Sequence, residues 1–193
     1  MLNLTDAQSD VALIEAQPSD YPRIAHLHAL SWQSAYRGIV SEEYLENHVF
    51  EERLAVWKAR ISDGIATGQS GILACAGSEL LGFAWVRLDV HPIWGSAIDN
   101  LHVSPSAKGR NIGRRLMARA AEVVIRQRPG SALHLWVLEA NHPARGFYER
   151  LGGVAHECGT RPTGDGKRAP GILFLWTDPT ILTLNTDEHF RPK

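Results

Sequence analysis

The residues of this 193-residue chain that could do chemistry gather in two stretches. The first, Asp99–Arg115, reads D-N-L-H-V-S-P-S-A-K-G-R-N-I-G-R-R. A short apolar strand, Ala97–Val103, leads through a loop holding Pro105 and Gly109 into a basic helix that begins near Ile112–Gly113. A strand that delivers a glycine-bearing loop to a helix N-terminus is an anion site. The first-turn N–H groups have no helical partners, and the helix dipole adds partial positive charge. Gly109 lets backbone come close to a ligand, and Lys108, Arg110, Arg114 and Arg115 strengthen the positive field. These features read as a pyrophosphate cradle. The second stretch, Leu135–Gly153, reads L-W-V-L-E-A-N-H-P-A-R-G-F-Y-E-R-L-G-G. It carries a phenol, Tyr148, able to donate a proton to a departing group, and Asn141 at a helix-capping position before Pro143. Asp99 and His102 are the titratable groups on the strand before the cradle, and strand alternation predicts that they face opposite sides.

The loop resembles motif A of the GCN5-related N-acetyltransferases, Gln/Arg-x-x-Gly-x-Gly/Ala, and reads Lys108-Gly109-Arg110-Asn111-Ile112-Gly113 here. Lys108 stands where Gln or Arg is usual and Asn111 replaces the first glycine; Asn tolerates positive φ better than most non-glycine residues. The second stretch resembles the family's strand–loop–helix ending in F-Y-x-x-x-G-F. The resemblance implies acetyl-CoA (CoA) as cofactor. Its pyrophosphate would lie on the backbone N–H groups of Gly109, Arg110, Asn111, Ile112 and Gly113, with the Lys108, Arg110 and Arg114 side chains nearby. The strand backbone at Leu101 and Val103 would meet the pantetheine and the acetyl carbonyl, Asn141 would touch CoA, and Tyr148 would protonate the departing thiolate.

The same resemblance implies an α/β (α+β) fold. It has a mixed, mostly antiparallel sheet of six to seven strands, helices on both faces, and a splay between the fourth and fifth strands, Ala97–Val103 and Leu133–Leu138. Some relatives carry a Glu base in the strand after the motif A helix, where this chain has Trp136; Asp99 and His102 remain as candidates, with Glu139 as a further option. The first two helices and a hairpin should line the substrate pocket, with Trp32, Tyr36, Arg37, Trp85 and Trp94 as walls and one charge. The segment S-W-Q-S-A-Y-R-G (Ser31–Gly38) is similar to one that recurs in small-molecule members. The implied activity is direct acetyl transfer to a primary amine of a small molecule, without metal. With no Cys near either motif, a covalent enzyme intermediate is disfavoured. A protein or peptide N-terminal or lysine acetyltransferase, and a non-catalytic acyl-CoA-binding module, stay open. By resemblance a homodimer is expected.

The elements that must position these groups follow from apolar periodicity and its breaks. Val11–Ala16 reads as a strand. A helix follows from Ser19 or Asp20 with Ile24, Leu27, His28 and Trp32 on one stripe, and a second starts at an N-cap, Ser41, with a break near Asn47–Phe50. Ile72–Ala76 and Leu80–Leu88 form a hairpin, the basic helix runs Ile112–Gln127, and Pro143–Leu151 is a helix. Val154–Cys158 and Gly171–Trp176 are strands separated by a polar loop, Thr160–Pro170. One domain over 1–193 is expected, with residues 1–10 and 179–193 as poorly ordered tails. A formal net charge of −1 excludes wrapping nucleic acid by bulk electrostatics. Cys75 and Cys158 lack metal spacing and read as small buried thiols. No apolar run is long enough to span a membrane and none resembles a signal peptide, so a cytoplasmic chain is expected.

Overall fold

Apolar periodicity changes from two to three-and-a-half where proline and glycine interrupt the chain, and the elements follow those breaks. The computed structural model describes residues 11–184. Its strands are β1 (Val11–Glu15), β2 (Gln69–Ala76), β3 (Glu79–His91), β4 (Gly95–Val103), β5 (Leu133–Leu138), β6 (Val154–Pro162) and β7 (Arg168–Trp176). Its helices are α1 (Tyr21–Ala35), α2 (Glu42–Asn47), α3 (Val49–Ile61), α4 (Ile112–Gln127) and α5 (His142–Arg150). One seven-stranded sheet runs β1-β2-β3-β4-β5-β7-β6. All neighbours are antiparallel except β4 and β5, which are parallel.

Helices cover both faces. The α4 face carrying Leu116, Met117, Ala120, Ala121, Val123 and Val124 packs on one, together with Tyr148 of α5. Arg119, Glu122 and Arg126 lie at intervening positions on the helix, so its apolar stripe is clean. On the other face, Ile24 and Leu27 of α1 and Trp57 and Ile61 of α3 enclose Phe83 and Trp85. Each fully buried large apolar side chain here contributes about 1.5–3 kcal/mol by leaving water.

Three expectations are corrected. The sixth and seventh strands extend further than their apolar cores suggest, so the loop expected over Thr160–Pro170 shrinks to residues 163–167. Cys75 is buried, but Cys158 is exposed on the edge strand β6. Residues Pro179–Leu182 form a 3-10 turn with Pro179 and Leu182 buried, where a loose tail was expected; residues 1–10 and 185–193 lie outside the described part. The break expected near Asn47–Phe50 falls at His48, between α2 and α3.

Candidate active site

The sheet parts where β4 and β5 diverge. Their parallel pairing is limited to Ser96 with Leu133 and Ala97 with His134, so β4 beyond Ala97 has a partner strand only on its β3 side. The resulting cleft holds about 1390 Å³. It is lined on one side by Leu101, Val103, Lys108, Gly109, Asn111, Ile112, Gly113 and Arg114, and on the other by Asn141, Phe147 and Tyr148. Leu101 and Val103 pack their side chains into the α4 core, which leaves their backbone as the cleft wall.

The N-terminus of α4 is built differently from that of α2. In α2, Ser41 accepts from the Tyr44 N–H and Glu42 and Glu43 occupy the first turn. In α4 there is no side-chain cap and no acid in the first turn. Asn111 takes the left-handed conformation at φ 59°, and Gly109 has φ 79° with nothing within 4 Å of where a Cβ would stand. Free N–H groups, the positive dipole end and Arg114, whose buried Nε lacks a partner, therefore converge on one mouth. Those orphaned donors fit the pyrophosphate of CoA. Arg110 is exposed and outside the cleft lining, and Arg115 turns away to donate to the Val11 carbonyl at 2.7 Å.

Tyr148 is 8 % exposed and lines the cleft, and its hydroxyl has no hydrogen-bond partner among the described residues. Burial, and secondarily the Tyr36 phenol, raise it above the ordinary tyrosine value, so it stays protonated. Burial likewise pushes Tyr36 up to about 12. Asn141 caps α5 by accepting from the Ala144 N–H at 3.3 Å through Oδ1, which leaves its NH₂ free.

Asp99 and His102 do not face opposite sides. Trp85 pairs with Asn100 and Val86 with Ile98, so Asp99 is an extra residue in β4, and this bulge restores both side chains to the α1/α3 side. Asp99 is held by Arg60 of α3 at 2.8 Å and by Arg87 at 3.9 Å. His102 Nδ1 is 3.0 Å from Ser31 Oγ, and its ring lies 4.2 Å from that of His28. Trp57 Nε1 donates to His28 Nδ1 at 2.9 Å, which leaves the proton of neutral His28 on Nε2. Burial, with the Arg53 charge second, pushes His102 down to about 3. Burial also holds His28 well below its ordinary value, helped by His102, Arg53 and Arg60. Both imidazoles are neutral near pH 7.

Of the expected pocket walls, Trp32 and Tyr36 line the cleft, edge to face at 5.2 Å. Trp85 does not: it is fully buried between Trp57 and the sheet and donates to Gln69 at 2.7 Å. Arg37 pairs with Glu42 and Glu46, and Trp94 stacks on His91 behind the lining residues His134 and Trp136 rather than in the lining itself. Glu43 bonds His48, and Glu139 is absent from the lining. The sequence reading missed the His28–Ser31–His102 cluster, whose signal was a histidine in an apolar stripe. At the tip of the β6–β7 hairpin, Asp165 accepts from Thr163 Oγ1 at 2.6 Å and from the Ser41 N–H at 3.1 Å, 124 residues away.

A mixed sheet parted between parallel strands, with an uncapped helix N-terminus at the parting, defines an acyl-CoA-dependent transferase. The chain belongs to the acetyltransferase (GNAT) family, whose model matches residues 39–153, and it is an acetyl-CoA-dependent N-acetyltransferase. It is 29 % identical over 142 residues to a probable N-acetyltransferase of Mycobacterium tuberculosis, covering 74 % of this chain and 79 % of that one. In fold it is similar to the PaiA N-acetyltransferase of Thermoplasma acidophilum solved with coenzyme A. That match has a TM-score of 0.65 at 20 % identity and covers 86 % of this chain and 98 % of the other. A GCN5-related N-acetyltransferase structure from Rhodopseudomonas palustris gives 0.66 at 25 % identity over 88 % and 96 %. No helix of the described residues is long and apolar enough to cross a membrane.

Proposed function

We propose that the acceptor is the primary amine of a small molecule, which enters between α1, β5 and the β6–β7 hairpin. The observation that carries this reading is the docking of the hairpin tip on α2. Asp165 binds the Ser41 N–H and Gly164 lies against Tyr44, so the acceptor side ends in a wall where an extended peptide would need an open groove.

Acetyl-CoA, when bound, supplies an activated thioester whose carbonyl an amine attacks. The N–H groups from Gly109 to Gly113, with Lys108 and Arg114, would hold the pyrophosphate; the β4 backbone at Leu101 and Val103 would line the pantetheine arm, and the Asn141 amide would donate to it. Tyr148, kept protonated by burial, would donate to the sulfur as negative charge develops there. The Asp99 carboxylate is already engaged by Arg60, and His102 is held neutral, so each orients the amine or a water beside it through hydrogen bonds. The ammonium would lose one proton to water in the open half of the cleft before it attacks, and the second proton that the nitrogen sheds as the amide forms would restore the Tyr148 phenol. A homodimer would cover the exposed β6 edge, where Val154 is 65 % exposed; a sedimentation mass of one chain would remove it.

Turnover of acetyl-CoA with a panel of small amines and of peptides tests the reading. Acetylated small amines are expected. Acetylation confined to peptide N-termini or lysines would overturn the acceptor class, and tight cofactor binding without any product would make the chain a sensor.

A further inference from the structure

The acceptor half of the cleft is lined by Arg87, Asp99, His134, Trp136, Arg161 and Thr163. Asp99 is the one carboxylate among the described lining residues, and two guanidiniums already hold it. Arg161 is different. Its guanidinium lies over the Trp136 ring at 4.9 Å and has no carboxylate partner among the described residues. The sheet makes room for this stack. Gly159 of β6 and Gly171 of β7 are register partners. A Cβ on Gly159 would stand 3.1 Å from the Trp136 ring, and one on Gly171 would stand 2.7 Å from Arg161 Cγ. Two facing glycines thus form a trough in which the indole lies, with the arginine stem beside it. A guanidinium placed over an aromatic ring still has N–H donors to offer, and they match the two oxygens of a carboxylate.

We propose that the acceptor amine also carries a carboxylate, and that Arg161, held over Trp136, recognises it. The proposal rests on the acetyltransferase reading above. Charge complementarity favours it: the described acceptor lining offers unpaired positive charge at Arg161 and no free acid to hold a second ammonium. Burial is the main cause that lowers His134, and the His91 and Arg161 charges act in the same direction, which puts the Arg161 charge within reach of the β5 wall.

The test compares kcat/KM for amino acids with those for their carboxamides, matched pairs that keep the amine and remove the charge. The native chain should prefer the acids by at least about tenfold, the scale of a charged hydrogen-bond pair. Arg161→Gln should bring the ratio near one. Gly171→Ala, which crowds the arginine stem without removing its charge, should reduce the ratio as well. An acetyl-CoA thermal shift reports whether each variant is folded, and the native ratio decides even if neither variant folds. Carboxamides acetylated as well as the acids, or a preference that survives in folded Arg161→Gln, would overturn the proposal and leave the acetyltransferase reading standing. No acetylation of any amine would overturn both.

Discussion

The two halves of the cleft are built by different means. The cofactor half is local: the end of β4, the loop from Ser104 to Asn111 and the first turn of α4 are consecutive in sequence, and only α5 joins from elsewhere. The acceptor half is assembled at long range. His102 meets Ser31 across 71 positions, Trp136 meets Arg161 across β7, and Asp165 reaches Ser41 across 124. The difference teaches that a binding function resting on backbone geometry can sit in one short segment. A pocket that selects among amines needs side chains brought from several segments, and the fold has to align them.

Changes confined to one half should leave the other working, and the size of the effect should track how many backbone donors are lost. Gly113→Asp is the most severe: a Cβ there would stand 3.2 Å from Phe147 Cζ, and a negative charge would enter the cradle. Acetyl-CoA affinity should fall by more than about a hundredfold, read by calorimetry, since several charge-assisted bonds are lost at once. Tyr148→Phe should lower kcat by about a hundredfold, the low end for a positioned proton donor, while acetyl-CoA affinity holds. Unchanged turnover would remove Tyr148 from the chemistry. Asp165→Ala frees the hairpin tip from Ser41 and should raise the amine KM by about tenfold through the lost charged hydrogen bonds, with cofactor binding intact.

The histidine pair makes a pH prediction with a defined sign. His102 sits at about 3 in the fold against an ordinary 6.5, so between those values the unfolded chain binds the proton and the folded chain does not. The stability this contributes is complete above pH 6.5 and is lost as pH falls from there toward 3. The unfolding midpoint should drop across that window, and less steeply in His28→Asn/His102→Asn. Turnover should show no inflection near 6.5 from His102. The smallest effect belongs to Trp85→Phe: about 1–2 kcal/mol of stability, from lost packing and the bond to Gln69, with the amine KM unmoved. A raised KM would return Trp85 to the substrate pocket.

The same contrast explains what could be read from the sequence. The α4 boundaries, the left-handed Asn111 and the Asn141 cap were legible because each depends on residues within one turn. The parting of β4 from β5 came from the resemblance, and the limited pairing bears it out. The face of Asp99 was misread because one extra residue, opposed to nothing on β3, reverses alternation, and no local residue type marks that bulge. Trp85 and Trp32 look alike in sequence, yet one is core and the other lines the cleft, which only the packing of α1 and α3 decides. The Arg161 platform depends on two glycines and a tryptophan on three strands, and its parts have meaning only once β7 lies between β5 and β6.

The most direct test of the central claim is a thermal-shift titration of the native chain with acetyl-CoA, using ATP as a phosphate-bearing control. A ligand that binds only the folded state adds about 2.7 kcal/mol of apparent stability at a hundred times its dissociation constant. A clear rise in midpoint with acetyl-CoA and none with ATP is the expected result. An equal rise with both would make the α4 mouth a general phosphate site, and no rise with acetyl-CoA would contradict the assignment of the parted strands to the cofactor.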